Sequence, residues 1–361
     1  MKPIIENKHA FPYKWTLKNA VFTKDKGKVF SCFACGGGST MGYKLAGFDV
    51  LGCNEIDPKM MEAYKANHNP KYAYLEPIQT FKMRDDLPLE LYELDILDGS
   101  PPCSSFSMAG NRERDWGKEK KFREGQANQV LDNLFFDFID LAKKLQPKVV
   151  IAENVKGLLL GNAKGYVRQI YRDFDLAGYY CQHWLLDASK MGVPQRRERV
   201  FFIAMRKDLA TPFMVQKDMF TVLPNLKLEF KELEIPFSEI EDFVSDTGET
   251  PLYPSTRNLW PLVKEGKEFS TAHKDGYMHS MYKVHRDKPL NTITAHVNGG
   301  DGYHYNKMRT LTELELKRGG SYPEDYNFVG NKVKYLVGMS VPPVMTAQIA
   351  KQVYQQWLSK L

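Results

Sequence analysis

A short apolar run, residues 94–97, leads into Asp98-Gly99-Ser100-Pro101-Pro102-Cys103, with Phe106-Ser107 close behind. The two prolines fix their own φ and remove two backbone donors, so the chain cannot continue as a sheet strand beyond this point. The segment is a stiff loop at a strand end, and the carboxyl ends of parallel strands are where α/β enzymes place reactive groups. Cys103 lies on that loop. A lone cysteine is most often a small buried hydrophobe, so its meaning depends on the rest of the chain.

The rest of the chain predicts an α/β fold. Residues 29–33 read as a strand, followed by Gly36-Gly37-Gly38-Ser39 and a short helix ending near Gly47. Residues 50–54 read as a second strand, and Asp57-Pro58 then opens a helix with Asp as N-cap and Pro at the first helical position. Val130, Leu131, Leu134, Phe135, Phe138, Leu141 and Leu145 recur at helical spacing until Pro147 stops them. Residues 149–152 form a buried-strand run, a further helix closes at Gly178, and residues 200–204 read as a late strand. Strands separated by helices imply a doubly wound, mostly parallel, Rossmann-like sheet.

After Met205 the rhythm fails. Residues 227–249 carry more carboxylates than lysines and read as a connector turned away from any polyanion. Residues 251–305 are rich in turns, His, Lys and Arg, and helical patterns return at 311–318 and 344–358. The expected organisation is an N-terminal extension (1–28), a catalytic domain (29–205), a small target-recognition domain (206–305) and a C-terminal segment returning to the catalytic domain (306–361).

Composition narrows the class. The net charge of +6 permits a polyanionic partner without requiring one. Five scattered cysteines give no disulfide framework, and Cys32-x-x-Cys35 lacks the second pair a zinc site needs. No metal is expected. No run approaches a membrane span and the amino terminus has no apolar signal segment, so a cytoplasmic protein is expected.

The candidate chemistry lies just past the predicted strand ends: Phe33 and the glycines, Glu55, Cys103 and Glu153. The glycine spacing, Gly36-Gly37-Gly38-x-x-x-Gly42, is not the dinucleotide G-x-G-x-x-G, but it lets a ligand approach the backbone at a strand-to-helix turn. Glu55, about twenty residues on, suits ribose hydroxyls. A plain tight turn and a solvated carboxylate would read the same way taken singly.

Five motifs occur in order: Phe33-Ala34-x-Gly36-Gly37-Gly38, Pro101-Pro102-Cys103-x-x-Phe106-Ser107, Glu153-Asn154-Val155, Gln195-x-Arg197-x-Arg199 and Gly338-x-Ser340-Val341. Together they resemble the DNA (cytosine-5) methyltransferase family over residues 29–205 and 286–350. Leu134-Phe135-Phe136-Asp137, Pro289-x-x-Thr292-Ile293-Thr294, Leu311-Thr312-x-x-Glu315 and Tyr322-Pro323-x-x-Tyr326 add to the likeness. The chain departs from the family pattern at Cys35, where glycine is usual, at Met339, where asparagine is usual, and at Ser104 and Gly319-Gly320.

The resemblance implies an enzyme that transfers a methyl group from S-adenosylmethionine to carbon 5 of a cytosine flipped out of double-stranded DNA. It implies Cys103 as nucleophile and Glu153 acting at the base. Arg197 and Arg199 are two apart at the edge of a strand and so face the same way, and the resemblance places both beside the base. It implies a cofactor site of Phe33, Gly36, Gly37, Gly38, Glu55, Ile56, Pro102, Leu134, Ser340 and Val341. A monomer is expected, with a cognate restriction endonuclease as partner where the chain serves restriction–modification. Arg257, Lys264, Lys267, Lys274, Lys283 and Arg286 mark the segment expected to read the DNA. A tRNA cytosine-5 methyltransferase on the same plan, an amino-group methyltransferase and a silent DNA-binding module are the alternatives; intact Cys103 and Glu153 weigh against the last two.

Overall fold

The computed structural model describes residues 8–102, 119–120, 129–130, 133–160, 164–218, 221–295 and 302–361. The chain divides into two compact units. One comprises Phe22–Leu186, Glu198–Glu229 and Ile349–Leu361; the other comprises Met1–Val21, Asp187–Arg197 and Phe230–Gln348.

The first unit holds a seven-stranded sheet. Its elements in chain order are β1 (Lys28–Cys32), α1 (Gly38–Leu45), β2 (Asp49–Glu55), α2 (Pro58–His68), β3 (Tyr72–Leu75), β4 (Ile96–Gly99), α3 (Leu134–Leu145), β5 (Val149–Val155), α4 (Lys164–Leu176), β6 (Tyr179–Asp187) and β7 (Glu198–Arg206). The spatial order is β3-β2-β1-β4-β5-β7-β6. The pairs β1–β2, β2–β3, β1–β4 and β4–β5 are parallel, as expected. β7 is the exception within this mostly parallel sheet: it runs antiparallel to β5, with Glu153 opposite Phe201 and Val155 opposite Arg199. The reason is β6, a strand not predicted from the sequence. Its polar residues (Gln182, His183) obscure the strand pattern.

Alternation along the strands sorts two faces. Phe30, Cys32, Leu97, Val150, Ala152 and Phe202 join Phe135, Phe138 and Leu141 of α3 and Ile170 and Phe174 of α4 in one core. Burying each Phe, Leu, Ile or Val among them contributes about 1.5–3 kcal/mol. Ser31 and Asp98 point to the opposite face, where α1 lies. Gly99 lets α3 approach: a Cβ there would lie 2.5 Å from the Phe138 ring. The predicted helix start at Val130 is not kept, because residues 129–130 pair with 119–120 and α3 begins at Leu134. α2 starts as predicted, with the Asp57 carboxylate accepting from the Lys59 and Met60 amides and Pro58 in the first turn.

The second unit is built around α5 (Pro254–Leu259), α6 (Glu313–Gly319) and α7 (Val333–Met339). Residues 306–348 group here, where the sequence suggested a return to the catalytic domain. Thr312 and Glu315 form a reciprocal capping box on α6. Glu315 also takes both ends of the Arg309 guanidinium, at 2.7 and 2.8 Å, with both side chains almost fully buried.

Several carboxylates of the acidic stretch have partners within this unit. Glu232 meets His9 at 2.8 Å, Glu239 meets Tyr13, and Glu241 meets His304 at 3.0 Å. Residues 8–21 are thereby tied into this unit, with Trp15 Nε1 donating to the Ser321 carbonyl at 3.1 Å.

Candidate active site

β1 ends at Cys32, and the chain turns through Phe33-Ala34-Cys35-Gly36-Gly37 into α1. Phe33 and Cys35 adopt φ of +51° and +49°, conformations that cost a residue with a side chain about 1 kcal/mol or more. The turn is over-determined by its bonds. Cys35 N donates to Glu55 Oε2 at 2.7 Å, and Gly37 N donates to the Ala34 carbonyl at 2.9 Å. Cys35 thus occupies a left-handed position that favours glycine, held by a charge-assisted bond. Gly37 tolerates no replacement: its φ is +90°, and a Cβ would fall 2.2 Å from the His68 ring.

Glu55 closes the same corner from the end of β2. Its Oε1 accepts from the Ile56 and Asp57 amides at 2.8 and 2.9 Å. Burial pushes its pKa up, against the pull of these backbone donors. Phe33 is half-buried against the core, and Ile56 is half-buried beside Glu55. Gly36, Gly37 and Gly38 are buried, and α1 starts with no capping side chain. An aromatic face, an aliphatic face, a buried carboxylate and a helix start that welcomes a carboxylate suit a zwitterionic nucleoside.

Two strands away lies the second cluster. Cys103 lies outside the described residues. The stretch leading to it is anchored: Asn154 Nδ2 donates to the Pro101 carbonyl at 3.1 Å, and Asn154 Oδ1 accepts from the Val155 amide at 2.9 Å. Pro102 is half-buried, and Leu134 is wholly enclosed in the core. Next to Asn154, Glu153 pairs with Arg199 Nε at 3.0 Å. The register explains the contact, since Val155 faces Arg199 and the diagonal neighbours of an antiparallel pair share a face. Burial lowers the Arg199 pKa, with Glu153 opposing, and a guanidinium stays charged throughout.

Arg197 is a correction. It does not share a face with Arg199, because β7 begins only at Glu198. It belongs to the other compact unit, where it is 2% exposed. Its guanidinium donates to the carbonyls of Ile293 at 3.1 Å, Gly338 at 2.9 Å and Ser340 at 3.0 Å. Gln195 acts alongside it, accepting from the Ile293 amide at 3.0 Å and donating to the Gly319 carbonyl at 3.2 Å. The Gln195-x-Arg197 half of that motif is a backbone clamp. Ser340 and Val341 are buried in the same unit, and Met339 is 37% exposed.

Lys283 is a second correction. It is buried, with its ammonium 3.7 Å from the centre of the Trp260 ring, so it is not a free DNA-reading cation. Arg257, Lys264, Lys267, Lys274 and Arg286 are exposed. Sequence reasoning assigned no role to Asp98, although a carboxylate inside an apolar strand was the available signal.

A parallel sheet with a glycine turn after β1, an acidic residue after β2 and a Pro-Pro-Cys stretch after β4 defines a Rossmann-like methyltransferase. The comparisons narrow that class. The family profile described as C-5 cytosine-specific DNA methylase matches residues 27–355, and the chain belongs to this family. It is 30% identical over 348 residues to the type II methyltransferase M.NgoFVII of Neisseria gonorrhoeae, covering 93% of this chain and 89% of the relative. It is 28% identical over 343 residues to the type II methyltransferase M1.HphI of Haemophilus parahaemolyticus, covering 89% of this chain and 85% of that protein. A crystal structure of a Spodoptera frugiperda DNMT2 mutant superposes with a TM-score of 0.62 at 19% identity, covering 91% of this chain and 99% of that chain. The enzyme is a DNA (cytosine-5-)-methyltransferase, and S-adenosylmethionine is its methyl donor. The residues around the glycine turn fit that donor. No helix among the described residues is long and apolar enough to cross a membrane.

Proposed function

We propose that Cys103 is the nucleophile of this methyl transfer and that Glu153 and Arg199 act on the base. Carbon 5 of cytosine is a poor nucleophile. Addition of the Cys103 thiolate to carbon 6 makes carbon 5 enamine-like and moves charge towards N3 and O2. Glu153 neutralises N3 by hydrogen bond or proton transfer, and Arg199 holds O2. S-adenosylmethionine, when bound, supplies the electrophilic methyl group. Loss of the carbon 5 proton to a base and expulsion of the Cys103 thiolate then restore the aromatic ring.

The observation that carries this reading is the Glu153–Arg199 pair at 3.0 Å, one residue from the Asn154 amide that grips Pro101. It puts a carboxyl and a fixed cation beside the strand end that leads to Cys103. For the donor, Phe33 and Ile56 hold the adenine faces, Glu55 the ribose, and Gly36, Gly37 and Gly38 the methionine end, with Pro102 completing the contacts.

The substrate is a cytosine in a short sequence of double-stranded DNA, flipped out because chemistry on a base requires it to leave the stack. Residues 206–305 form the target-recognition region, with the exposed cations Arg257, Lys264, Lys267, Lys274 and Arg286 as its DNA-facing set. The chain acts as a cytoplasmic monomer with a cognate restriction endonuclease, a reading supported by its likeness to type II methyltransferases. The test is a duplex carrying 5-fluorocytosine, in which fluorine blocks the final elimination. The wild-type protein is expected to become covalently attached and Cys103→Ser is not. Full methyl transfer by Cys103→Ser would overturn the assignment.

A further inference from the structure

Asp98 is a carboxylate that the methyl transfer outlined above does not use. It lies in β4, one residue before Gly99, and is 4% exposed. Three hydroxyls converge on it. Ser31 Oγ and Ser39 Oγ both donate to Oδ2, at 2.7 and 2.8 Å, and Tyr43 OH donates to Oδ1 at 3.0 Å. No cation pairs with it among the described residues. The titratable groups around it are Cys32 from β1, Tyr43 from α1, Tyr64 from α2 and Glu153 from β5. None of them is a base that could neutralise it.

The positions of the donors are what give this carboxylate a function. Ser31 lies in β1 just before the cofactor turn, and Ser39 lies in α1 just after it. One oxygen of Asp98 therefore holds both ends of the turn that runs from Cys32 to Gly38, and the other oxygen holds the next turn of α1. We infer that Asp98 is a positioning residue: it closes the glycine turn into the shape that receives the methyl donor and fixes that turn to the strand leading to Cys103. This rests on the proposed placement of the donor at that turn.

The chemistry calls for an acceptor-only group. A carboxylate offers lone pairs on both oxygens, whereas an amide would turn two N–H donors towards hydroxyls already donating. Burying an unpaired carboxylate costs stability. Burial raises its pKa to about 6, the three hydroxyls opposing and Glu153 adding to the rise. A merely structural role would favour a neutral residue here.

The experiment is calorimetric titration of the full chain with S-adenosylhomocysteine, the product left after methyl transfer, across the pH range around the Asp98 titration. Wild-type affinity is expected to be steady above that titration and to weaken as pH falls through about 6. Asp98→Asn is expected to bind about tenfold more weakly near neutral pH, equivalent to one net hydrogen bond. Its affinity should be flat where the wild type bends, and its melting temperature equal to or above the wild type's. Glu55 also has a raised pKa, so the difference between the two curves decides the matter. Tyr43→Phe removes one donor from the carboxylate and should move the bend to higher pH, which keeps the inference open to refutation even if Asp98→Asn fails to fold. Wild-type affinity or an unchanged bend in Asp98→Asn, or an unmoved bend in Tyr43→Phe, overturns the inference. Glu55→Gln serves as the control: if it weakens binding while Asp98→Asn does not, Asp98 alone is misassigned, and if neither does, the donor lies elsewhere.

Discussion

Arg197→Met should destabilise the protein and reach activity only through that loss. The substitution keeps most of the side-chain stem and removes the guanidinium. Three carbonyls, of Ile293, Gly338 and Ser340, lose their donor in a site where Arg197 is 2% exposed. A buried acceptor left without a partner costs about 1–3 kcal/mol, and the three losses will not add in full because the chain relaxes and water enters. A net cost of about 3–5 kcal/mol is expected, the lower part of the range that three such losses span. Arg197→Lys should cost roughly half of that, since a compact ammonium cannot reach three carbonyls as a planar fork does. Urea unfolding is the assay, read as a lower midpoint at unchanged slope. Hydrogen exchange should localise the loss to residues 290–295 and 336–341. A Met variant that unfolds at the wild-type midpoint yet cannot transfer a methyl group would refute the argument and return Arg197 to the base.

Glu153→Gln should lower turnover by about 10²–10⁴-fold with little change in S-adenosylhomocysteine affinity, as loss of acid–base help would, whereas Glu55→Ala should weaken that affinity by about 1.5–3 kcal/mol; the reverse pattern in turnover and calorimetry would exchange their roles. Burial holds the His304 pKa well below 6.5, and its Nδ1 accepts from the Asn306 and Lys307 amides at 3.1 and 3.0 Å. Its stability contribution is therefore complete above pH 6.5 and lost as pH falls towards the folded-state value, which urea unfolding of the wild type against His304→Asn at several pH values will detect. Exchanging residues 250–285 for the matching segment of a relative should change the sequence methylated and not the kind of modification, because a flipped base carries no information about its neighbours. Sequencing of the methylated products checks this, and an unchanged site would move specificity elsewhere.

The sheet was legible where each strand was short, apolar and bounded by turn chemistry. β1, β2 and β5 show that pattern, and α2 shows a cap that the structure reproduces bond for bond. β3 and β6 were not legible. Tyr72-Ala73-Tyr74-Leu75 is half-exposed along its length, and β6 alternates between buried and open positions with a histidine and a glutamine in it. The antiparallel direction of β7 follows from a connection through β6 that periodicity alone does not reveal. In the acidic stretch charge counting cannot tell a solvated carboxylate from one already bonded, and Glu232 and Glu241 are bonded to His9 and His304.

The two arginines of one motif show where the rule itself stopped applying. Alternation places residues two apart on one face only when both lie in a strand. Arg199 does, and the β5–β7 register brings it to Glu153. Arg197 lies before the strand, in a segment whose backbone is fixed by other means: its amide donates to the Asp187 carboxylate at 3.2 Å and its carbonyl accepts from the Ala188 amide at 3.1 Å. Freed from the strand's geometry, its side chain is directed by the nearest unsatisfied acceptors, and a planar guanidinium with five donors is the group best able to serve several carbonyls at once. Only the boundary of the strand, set by where its partner β5 ends at Val155, divides an arginine paired with Glu153 from one bonded to backbone carbonyls.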